Sequence, residues 1–393
     1  MKIELDQAEL RKQAARGKLA QIIHGNDDRD RASALGVVAA TMRESGAVEL
    51  SHQMLEEAFQ LDPSNPELQR SLGLSRCRFG DLSSGLALYD KGRWKLKSFQ
   101  PVYRDFPQPE WRGESLEGKA ILLWAEQGIG DQVMQVRCLR WILEQEPRRV
   151  AIECDSRLHR LLQNNYPEVE FYLQSVVPDQ ELTGSDFDFQ SSLFSAWKWT
   201  YALSEDVRTP FAPYLKPDSN LVDRFREIWA KNGWNFNVGI SWRSQSKMTG
   251  DRKSISPKAL SPLLKNPKMQ FHNLQYGCGS EELEELVPQF GRRLLEDTSG
   301  DPMNNLYQLT AQISALDLVI SVDNTTVHLA GTVGTSCLVM LPKFNDWRWG
   351  ASGTETYLYE SLFLIRQNQT GSWTDVILQA GLKLREFSEG RQG

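Results

Sequence analysis

From Ala120 onward, apolar runs of strand length alternate with stretches of helical length, and this alternation limits what the chain can fold into. Ala120–Ala125 and Val150–Glu153 are such runs, with a helical stretch over residues 131–146 between them. Strands separated by helices pair in parallel and are covered by helices on both faces of the sheet. The pattern starts again at Val238–Trp242, after a break near residues 217–237. We therefore predict two α/β halves in succession.

Residues 5–97 lack strand patterning and are predicted to be helical throughout. A repeat with a 34-residue offset pairs Gly46 with Gly80 and Met54 with Leu88. The pattern resembles the tetratricopeptide repeat, in which short helix pairs stack on their neighbours. An unrelated pair of helical hairpins is the alternative.

An aromatic- and proline-rich connector separates these helices from the first α/β half. Proline interrupts regular structure, while rings such as Phe106 and Trp111 can pin the connector to a surface. The predicted domains are a tetratricopeptide-like module over 1–97, the connector over 98–118, an N-terminal Rossmann-like half over 119–217, a C-terminal Rossmann-like half over 218–371, and a C-terminal helix and tail over 372–393.

Charge and cysteine content exclude several classes of protein. A net charge of −6 and a pI near 5.6 argue against general binding to nucleic acid or anionic membranes. No apolar run is long enough to span a bilayer, and the N-terminus lacks the apolar core of a signal peptide. An odd number of cysteines without a C-x-x-C pair indicates free thiols in a reducing compartment. We expect a cytoplasmic protein, whose cysteines are Cys77, Cys138, Cys154, Cys278 and Cys337.

The usual cofactor motifs are absent from the sequence. Gly128 and Gly130 would need a third glycine at position 133, which is Val133, and no Walker-type run occurs. The histidines form no H-x-x-x-H pair, so a zinc enzyme is not expected. Asp186 and Asp188 form a D-x-D, which in some glycosyltransferases holds a metal-bound nucleotide sugar, but a solvated loop is the alternative. We expect neither a metal nor a cofactor.

Residues Gln127–Asp131 form the first candidate site. A strand ends before them, Gly128 and Gly130 allow a tight turn, and Asp131 begins the next helix. Parallel sheets bind ligands beyond the carboxyl ends of their strands, so Asp131 is a candidate general base. A plain helix N-cap is the alternative for this carboxylate.

A second candidate site follows the strand that begins at Asp317. Small polar side chains start the next helix there, and a helix N-terminus favours a bound anion. Two cations, Arg243 and Lys253, follow the strand Val238–Trp242 and could neutralise a diphosphate without a metal. An ordinary capped helix between buried strands, with solvated loop charges, is the alternative. The four polar residues are Asp323, Asn324, Thr325 and Thr326.

The chain resembles bacterial tetratricopeptide-containing glycosyltransferases through six runs that occur in the same order and spacing. These enzymes are similar to the heptosyltransferases of glycosyltransferase family 9 and, more distantly, to the O-GlcNAc transferase-like enzymes of family 41. The resemblance covers residues 30–375 and implies a GT-B fold, in which two Rossmann-like halves face a cleft. The six runs are WAEQGIGDQVMQVR, VGISWRS, DRKSI, FHNLQYG, ISVDNTTVHLAG and DWRW.

The resemblance also implies roles for individual residues. Asp131 matches the catalytic base, with Gln127, Gly128 and Gly130 on the acceptor side. The helix N-terminus after Asp323 would receive the donor diphosphate. Because Asn324 replaces the more usual threonine, the ADP-heptose donor of the heptosyltransferases is not carried over. The donor-binding set is Arg243, Lys253, Gln275, Asp323, Asn324, Thr325, Thr326, His328, Trp347 and Arg348, although DWRW is a family hallmark without an assigned role.

The function predicted from these residues is that of an inverting, metal-independent glycosyltransferase. It would move a sugar from a nucleotide-diphosphate sugar to a hydroxyl of a protein, such as a flagellin or other surface polypeptide, or of a glycan. The tetratricopeptide-like module could hold a protein partner. One alternative is a non-catalytic scaffold that binds nucleotide sugars or proteins. Another is a sugar-nucleotide epimerase of GT-B type, although no motif in the sequence supports it.

Overall fold

The computed structural model of the protein divides the chain into two compact units. The first contains the chain up to Tyr103 together with Lys343–Ser352, and the second contains Arg104–Pro342 and Gly353–Gly393. The structure describes residue 17 and residues 27–99, 102–184, 186–203, 212–231, 233, 236–246, 249–265, 269–277, 282, 294–295 and 303–390. Of the residues predicted to be helical, 5–16 and 18–26 lie outside the described part of the chain.

The described part of the first unit, which we call the helical unit, contains two helix pairs. The helices described there are α1 (Asp28–Glu44), α2 (Val48–Leu61), α3 (Pro66–Arg78) and α4 (Leu82–Arg93), and α1 packs on α2 as α3 packs on α4. Gly46 and Gly80 turn the chain within the two pairs with φ of 91° and 93°, a left-handed conformation that favours glycine. The offset found in the sequence is therefore a structural repeat, and its membership of the tetratricopeptide class remains a prediction.

The second pair is packed closely enough to need glycine at the crossing. A Cβ on Gly73 would lie 2.4 Å from the backbone nitrogen of Tyr89 and 2.7 Å from the carbonyl oxygen of Gly85. In the first pair, the buried Ser51 hydroxyl donates to the carbonyl of Ala39 at 2.7 Å. Small residues at equivalent positions let both pairs bring their backbones together.

The second unit begins with a four-stranded parallel sheet in the order β3-β2-β1-β4. In place of the single helix predicted over 131–146, the structure has two shorter helices. The structure also has a strand and a helix over 189–203, where the sequence shows no regular α/β alternation. The elements are β1 (Ala120–Trp124), α5 (Ile129–Gln135), α6 (Cys138–Glu144), β2 (Arg149–Cys154), α7 (Ser156–Asn165), β3 (Glu170–Leu173), β4 (Phe189–Ser192) and α8 (Leu193–Leu203), with a 3₁₀ turn at Gln180–Thr183.

A six-stranded sheet follows, also parallel, in the order β10-β9-β8-β5-β6-β7. Two parallel α/β halves were predicted, and this prediction is confirmed. The elements are α9 (Ser219–Ala230), β5 (Asn237–Ser241), α10 (Gly250–Lys253), a 3₁₀ helix (Pro257–Lys265), β6 (Gln270–Asn273), β7 (Leu294–Leu295), α11 (Leu306–Ala315), β8 (Leu318–Val322), α12 (Thr325–Val333), β9 (Cys337–Leu341), β10 (Leu362–Arg366) and α13 (Thr374–Gly390).

The central strands of both sheets are buried on both faces, which explains their unbroken apolar sequences. Every residue of β1, β8 and β9 is buried, as expected for parallel strands covered by helices. The core of the second half joins β5, β8 and β9 to side chains of α13 such as Ile377 and Leu384. The buried strands therefore fix the positions at which the loops of the carboxyl edges begin.

The connection between β9 and β10 contributes Lys343–Ser352 to the helical unit. The buried guanidinium of Arg78 donates to the side-chain and backbone oxygens of Asn345 and lies 4.9 Å from the centre of the Phe344 ring. Trp347 and Trp349 are 5% and 1% exposed. The predicted C-terminal half over 218–371 therefore contains ten residues that pack with the helices.

A buried histidine in the second sheet has an unusually low pKa. His272, on β6, stacks on Trp229 with 4.0 Å between the ring centres, and its Nε2 lies 3.0 Å from Oδ1 of Asn237. Burial lowers the pKa of His272 to about 3. The ring is therefore neutral near pH 7, with Nε2–H donating to Asn237.

We predict that His272 makes the fold lose stability in acid. An unfolded histidine takes up a proton near pH 6.5, whereas the folded one resists it down to about 3. Its contribution is complete above pH 6.5 and is lost as the pH falls, by about 1.4 kcal/mol per pH unit. His272→Gln, which keeps an amide donor for Asn237, should flatten the dependence of unfolding free energy on pH between 6 and 4 in urea titrations. Parallel curves for the two proteins would contradict the assignment.

Candidate functional site

The carboxyl edges of the two sheets face each other at the N-termini of α5 and α12. A Cβ placed on Gly130, the second residue of α5, would lie 3.7 Å from the Cα of Thr325, the first residue of α12. The same Cβ would lie 2.9 Å from Cδ2 of His328. Residues predicted separately as acceptor-side and donor-side are therefore brought together.

Asp131 lies in the first turn of α5, and Gly128 occupies the N-cap position. The alternative that Asp131 is a plain N-cap is therefore wrong. The buried side chain of Gln132 holds the preceding turn, since its Nε2 donates to the carbonyl of Gln127 at 3.1 Å and its Oε1 accepts from the nitrogen of Asp155 at 3.1 Å. This places the partly exposed Asp131 carboxylate on a fixed turn at the end of β1.

The N-terminus of α12 is capped by Asn324, whose Oδ1 accepts from the Thr326 nitrogen at 3.0 Å. Asn324 and Thr326 are buried, and Thr325 is partly buried. The hydroxyl of Thr326 has no hydrogen-bond partner within the described part of the chain. The helix therefore starts where the sequence predicted it, with a positive dipole end after β8, and anion binding there stays a prediction.

His328 connects the two halves and is 4% exposed. Its Nδ1 lies 3.0 Å from the hydroxyl of Tyr359, while the opposite side of the ring lies against Gly130. The Tyr359 ring in turn covers Gly331, where a Cβ would approach it to 2.4 Å. One face of α12 therefore carries a histidine and a glycine that fit around Tyr359, and the buried His328 ring supports α5.

Both predicted cations are paired with carboxylates. Lys253 Nζ lies 2.5 Å from Oδ2 of Asp323, with side chains 15% and 6% exposed. Arg243 donates to the carbonyl of Gly277 and lies 3.1 Å from Oε2 of Glu282. The Nε of Arg243 is buried without a partner among the residues that the structure describes. Lys253 is thus held beside the start of α12 by the residue that precedes Asn324.

Gln275 is 2% exposed at the end of β6, and its side-chain amide bonds to residues 241–243 at the end of β5. Trp347 and Arg348 lie within the helical unit, where the Arg348 guanidinium is 4.9 Å from the centre of the Trp347 ring and pairs with Asp346. Packing accounts for both DWRW residues, and their contact with a donor remains a prediction.

The D-x-D motif lies at the opposite edge of the first sheet. Oδ2 of Asp188 accepts from the nitrogen of Ala120, the first residue of β1, at 2.8 Å, and this bond lowers the pKa of Asp188. Lys119 and Arg148 also pair with Asp188. Asp188 is therefore a structural residue at the amino edge. Within the described ranges, no group of three or more His, Cys, Asp or Glu could hold a metal ion.

Sequence reasoning missed three residues of the site: Gln132, Ser241 and Tyr359. Gln132 follows Asp131 directly, and Ser241 precedes Trp242-Arg243, so position next to a motif was an available signal for both. Tyr359 lies far along the chain in a loop before β10 and contacts His328 only in the folded protein. No sequence signal indicated it.

No family model matches the chain. Protein FlbA of Caulobacter vibrioides is 28% identical to it over 353 residues, which cover 84% of this chain. The chain spans 58% of the length of that relative. None of the helices that the structure describes is long and apolar enough to cross a membrane.

Solved glycosyltransferases have a similar structure. A family 9 glycosyl transferase of Veillonella parvula, 11% identical, matches 71% of this chain and 99% of its own with a TM-score of 0.51. The ADP-heptose lps heptosyltransferase II of E. coli, 12% identical, matches 70% of this chain and 100% of its own, also at 0.51. An O-GlcNAc transferase mutant of Thermobaculum terrenum, 14% identical, covers 98% of this chain and 90% of its own, but at 0.37 it is too distant to bear on the fold. The first two confirm the predicted resemblance and GT-B architecture at the level of the fold.

We predict that Gly130→Ala separates α5 from α12. The added Cβ would approach His328 to 2.9 Å, and the ring is buried between Tyr359 and α5, so the helices must move apart. Overpacking of this kind costs about 1–3 kcal/mol of stability. Urea unfolding of the purified variant measures this cost.

Gly128→Ala is the matched control. Its φ of −64° suits any residue, and the nearest atom to the new Cβ is Oδ2 of Asp131 at 3.7 Å. Equal losses of stability in the two variants would contradict a specific role for close packing at Gly130.

Proposed function

We propose that this chain is a glycosyltransferase that uses a nucleotide-diphosphate sugar. The observation that carries the proposal is the contact between the first turn of α5, which includes Asp131, and the capped N-terminus of α12, on a fold shared with family 9 glycosyltransferases. A carboxylate and an anion site on opposite halves suit a reaction that removes a proton and releases a diphosphate. The E. coli neighbour, named for ADP-heptose, supports this class of donor.

The donor diphosphate would bind at the start of α12. The helix N-terminus favours the negative charge, and the Thr326 hydroxyl is buried without a partner among the described residues. Lys253 is held beside this terminus by Asp323. As the donor bond breaks, Lys253 can move its contact from Asp323 to a phosphate oxygen. These groups supply the charge that stabilises the nucleoside diphosphate as it leaves.

Asp131 would act as the general base in an inverting displacement. The acceptor hydroxyl attacks the anomeric carbon, a new carbon–oxygen bond forms, and the bond to the diphosphate oxygen breaks. The hydroxyl proton passes to the Asp131 carboxylate, and the electron pair leaves with the diphosphate. Gln127, Gly128 and Gly130 form the turn that presents Asp131, and the buried Gln132 keeps that turn in place.

The proposal extends to the acceptor and the compartment. The acceptor is a hydroxyl of a protein or a glycan, and the helical unit is the proposed site for a protein partner. Cys77, Cys138, Cys154 and Cys337 are buried free thiols, and burial raises the pKa of each. Such cysteines fit the reducing cytoplasm, where nucleotide sugars are available.

We predict that Asp131→Asn abolishes transfer and leaves donor binding largely intact. The amide keeps the shape of the side chain but accepts no proton, and loss of a general base costs about 10²–10⁴-fold in rate. Turnover is measured by release of nucleoside diphosphate, and donor affinity by calorimetry. Asp186→Asn, on an exposed aspartate of the first half, is the control. Near-normal turnover by Asp131→Asn would remove Asp131 from this role.

A panel of UDP, GDP, ADP, CMP and dTDP sugars tests the donor class. We expect at least one diphosphate sugar to raise the melting temperature, because a ligand that binds only the folded state stabilises it. Transfer should persist in EDTA, since Lys253 and the α12 terminus supply the positive charge. Binding to no sugar nucleotide would contradict the proposed function, and binding without turnover by any acceptor would favour the scaffold alternative.

A further inference from the structure

Three side chains at the carboxyl ends of β5, β6 and β8 form one buried hydrogen-bonded group, which we call the amide ring. Its members are Ser241, Gln275 and Asn324, and all are at most 7% exposed. Nδ2 of Asn324 donates to the Ser241 hydroxyl at 2.7 Å, and this hydroxyl donates to Oε1 of Gln275 at 3.1 Å. The amide ring therefore connects the carboxyl ends of β5, β6 and β8 through hydrogen bonds.

The amide ring holds the backbone of Trp242 and Arg243. Oε1 of Gln275 accepts from the Trp242 nitrogen at 2.9 Å and from the Arg243 nitrogen at 2.7 Å. The carbonyl of Arg243 accepts from Nε2 of Gln275 and from Nδ2 of Asn324, each at 3.2 Å. The backbone from which the Arg243 side chain projects is thus fixed by two amides.

No atom of the Gln275 amide is left for a nucleotide. Oε1 accepts three hydrogen bonds, and Nε2 uses both hydrogens on the carbonyls of Arg243 and Tyr276. A buried amide with its donors and acceptor satisfied would have to break bonds to contact a base. Arg243, in contrast, is a third exposed and has a buried Nε without a described partner.

We propose that Gln275 and Ser241 are positioning residues that act on the donor through Arg243 and that Gln275 does not read the nucleobase. This inference rests on the proposed function, to which it adds a contact between Arg243 and the donor diphosphate. By bonding to its backbone nitrogen and carbonyl, Gln275 fixes the direction in which the Arg243 side chain leaves the backbone. Its effect on donor affinity is therefore independent of the base.

The test compares Gln275→Met, Ser241→Ala, Arg243→Ala and the double variant Gln275→Met/Arg243→Ala. Calorimetry gives the affinities for UDP, GDP and ADP, and a thermal melt reports folding. Gln275→Met should weaken each diphosphate that the wild type binds by the same factor, roughly 10- to 100-fold, because it leaves buried backbone groups unpaired. Ser241→Ala removes one hydroxyl and should cause a smaller loss of the same kind, so it serves if Gln275→Met does not fold.

The double variant separates positioning from direct contact. If Gln275 acts through Arg243, Gln275→Met causes no further loss of affinity once Arg243 is alanine, and the two effects are not additive. A merely structural residue would lower the melting temperature without this coupling. Gln312→Met is the control, because Gln312 is a buried glutamine of the same half whose amide nitrogen bonds to none of the described residues.

Two results would overturn the proposal. One is a loss that differs between UDP, GDP and ADP, which indicates contact with the base. The other is additivity of Gln275→Met and Arg243→Ala. If the wild type binds neither these three diphosphates nor any sugar nucleotide of the donor panel, the proposed function itself is contradicted, and this inference is contradicted with it. A wild type that binds with independent, additive losses contradicts only the positioning role.

Discussion

The contact between Gly130 and His328 is the constraint on which the rest of the site depends. It brings the first turn of α5 against the first turns of α12 without an intervening side chain on α5. Tyr359 holds His328 from the other side. Because parallel sheets place their functional loops at the carboxyl edges, this contact limits how far apart the loops of the two halves lie. A glycine and an imidazole therefore help to set the distance between the proposed base and the proposed anion site.

The cations near the N-terminus of α12 are paired with carboxylates before any ligand binds. Lys253 and Asp323 form a largely buried pair, so part of the cost of removing the ammonium from water is met during folding. Arg243 is similarly paired with Glu282. A phosphate entering such a site exchanges one anionic partner for another and needs little rearrangement. Preorganised charge of this kind acts most strongly in a site with little water.

Patterns local in sequence predicted most of the architecture. Unbroken apolar runs such as Ala120–Trp124 and Cys337–Leu341 indicated parallel strands, and glycines at a constant offset indicated the helix pairs. β4 was missed because three of the four residues in Phe189–Ser192 are polar, and the strand is stabilised by pairing with β1. The loop that ends at Tyr359 could not be placed near His328 from sequence, since only folding joins them.

The roles predicted for the site residues stay predictions, but the structure shows where those residues lie. Asp131 and Asn324 follow directly from a strand end and a helix start, and the structure puts their helices in contact. The sequence could not show that the Gln275 amide is wholly occupied, because its partners at residues 241–243 lie more than thirty positions earlier. Nor could it show that DWRW packs with the helical unit, since the apolar character of tryptophan fits a ligand pocket and a protein core equally.

Because the ten residues Lys343–Ser352 pack with the helical unit, they limit how that unit could be exchanged by gene fusion. A chain begun at Arg104 would lack Arg78, the residue that binds Asn345 and covers Phe344. Trp347 and Trp349, almost fully covered in the complete protein, would become an apolar surface. The helical unit therefore cannot be exchanged as a simple N-terminal cassette. Any replacement must be accompanied by a new loop between β9 and β10.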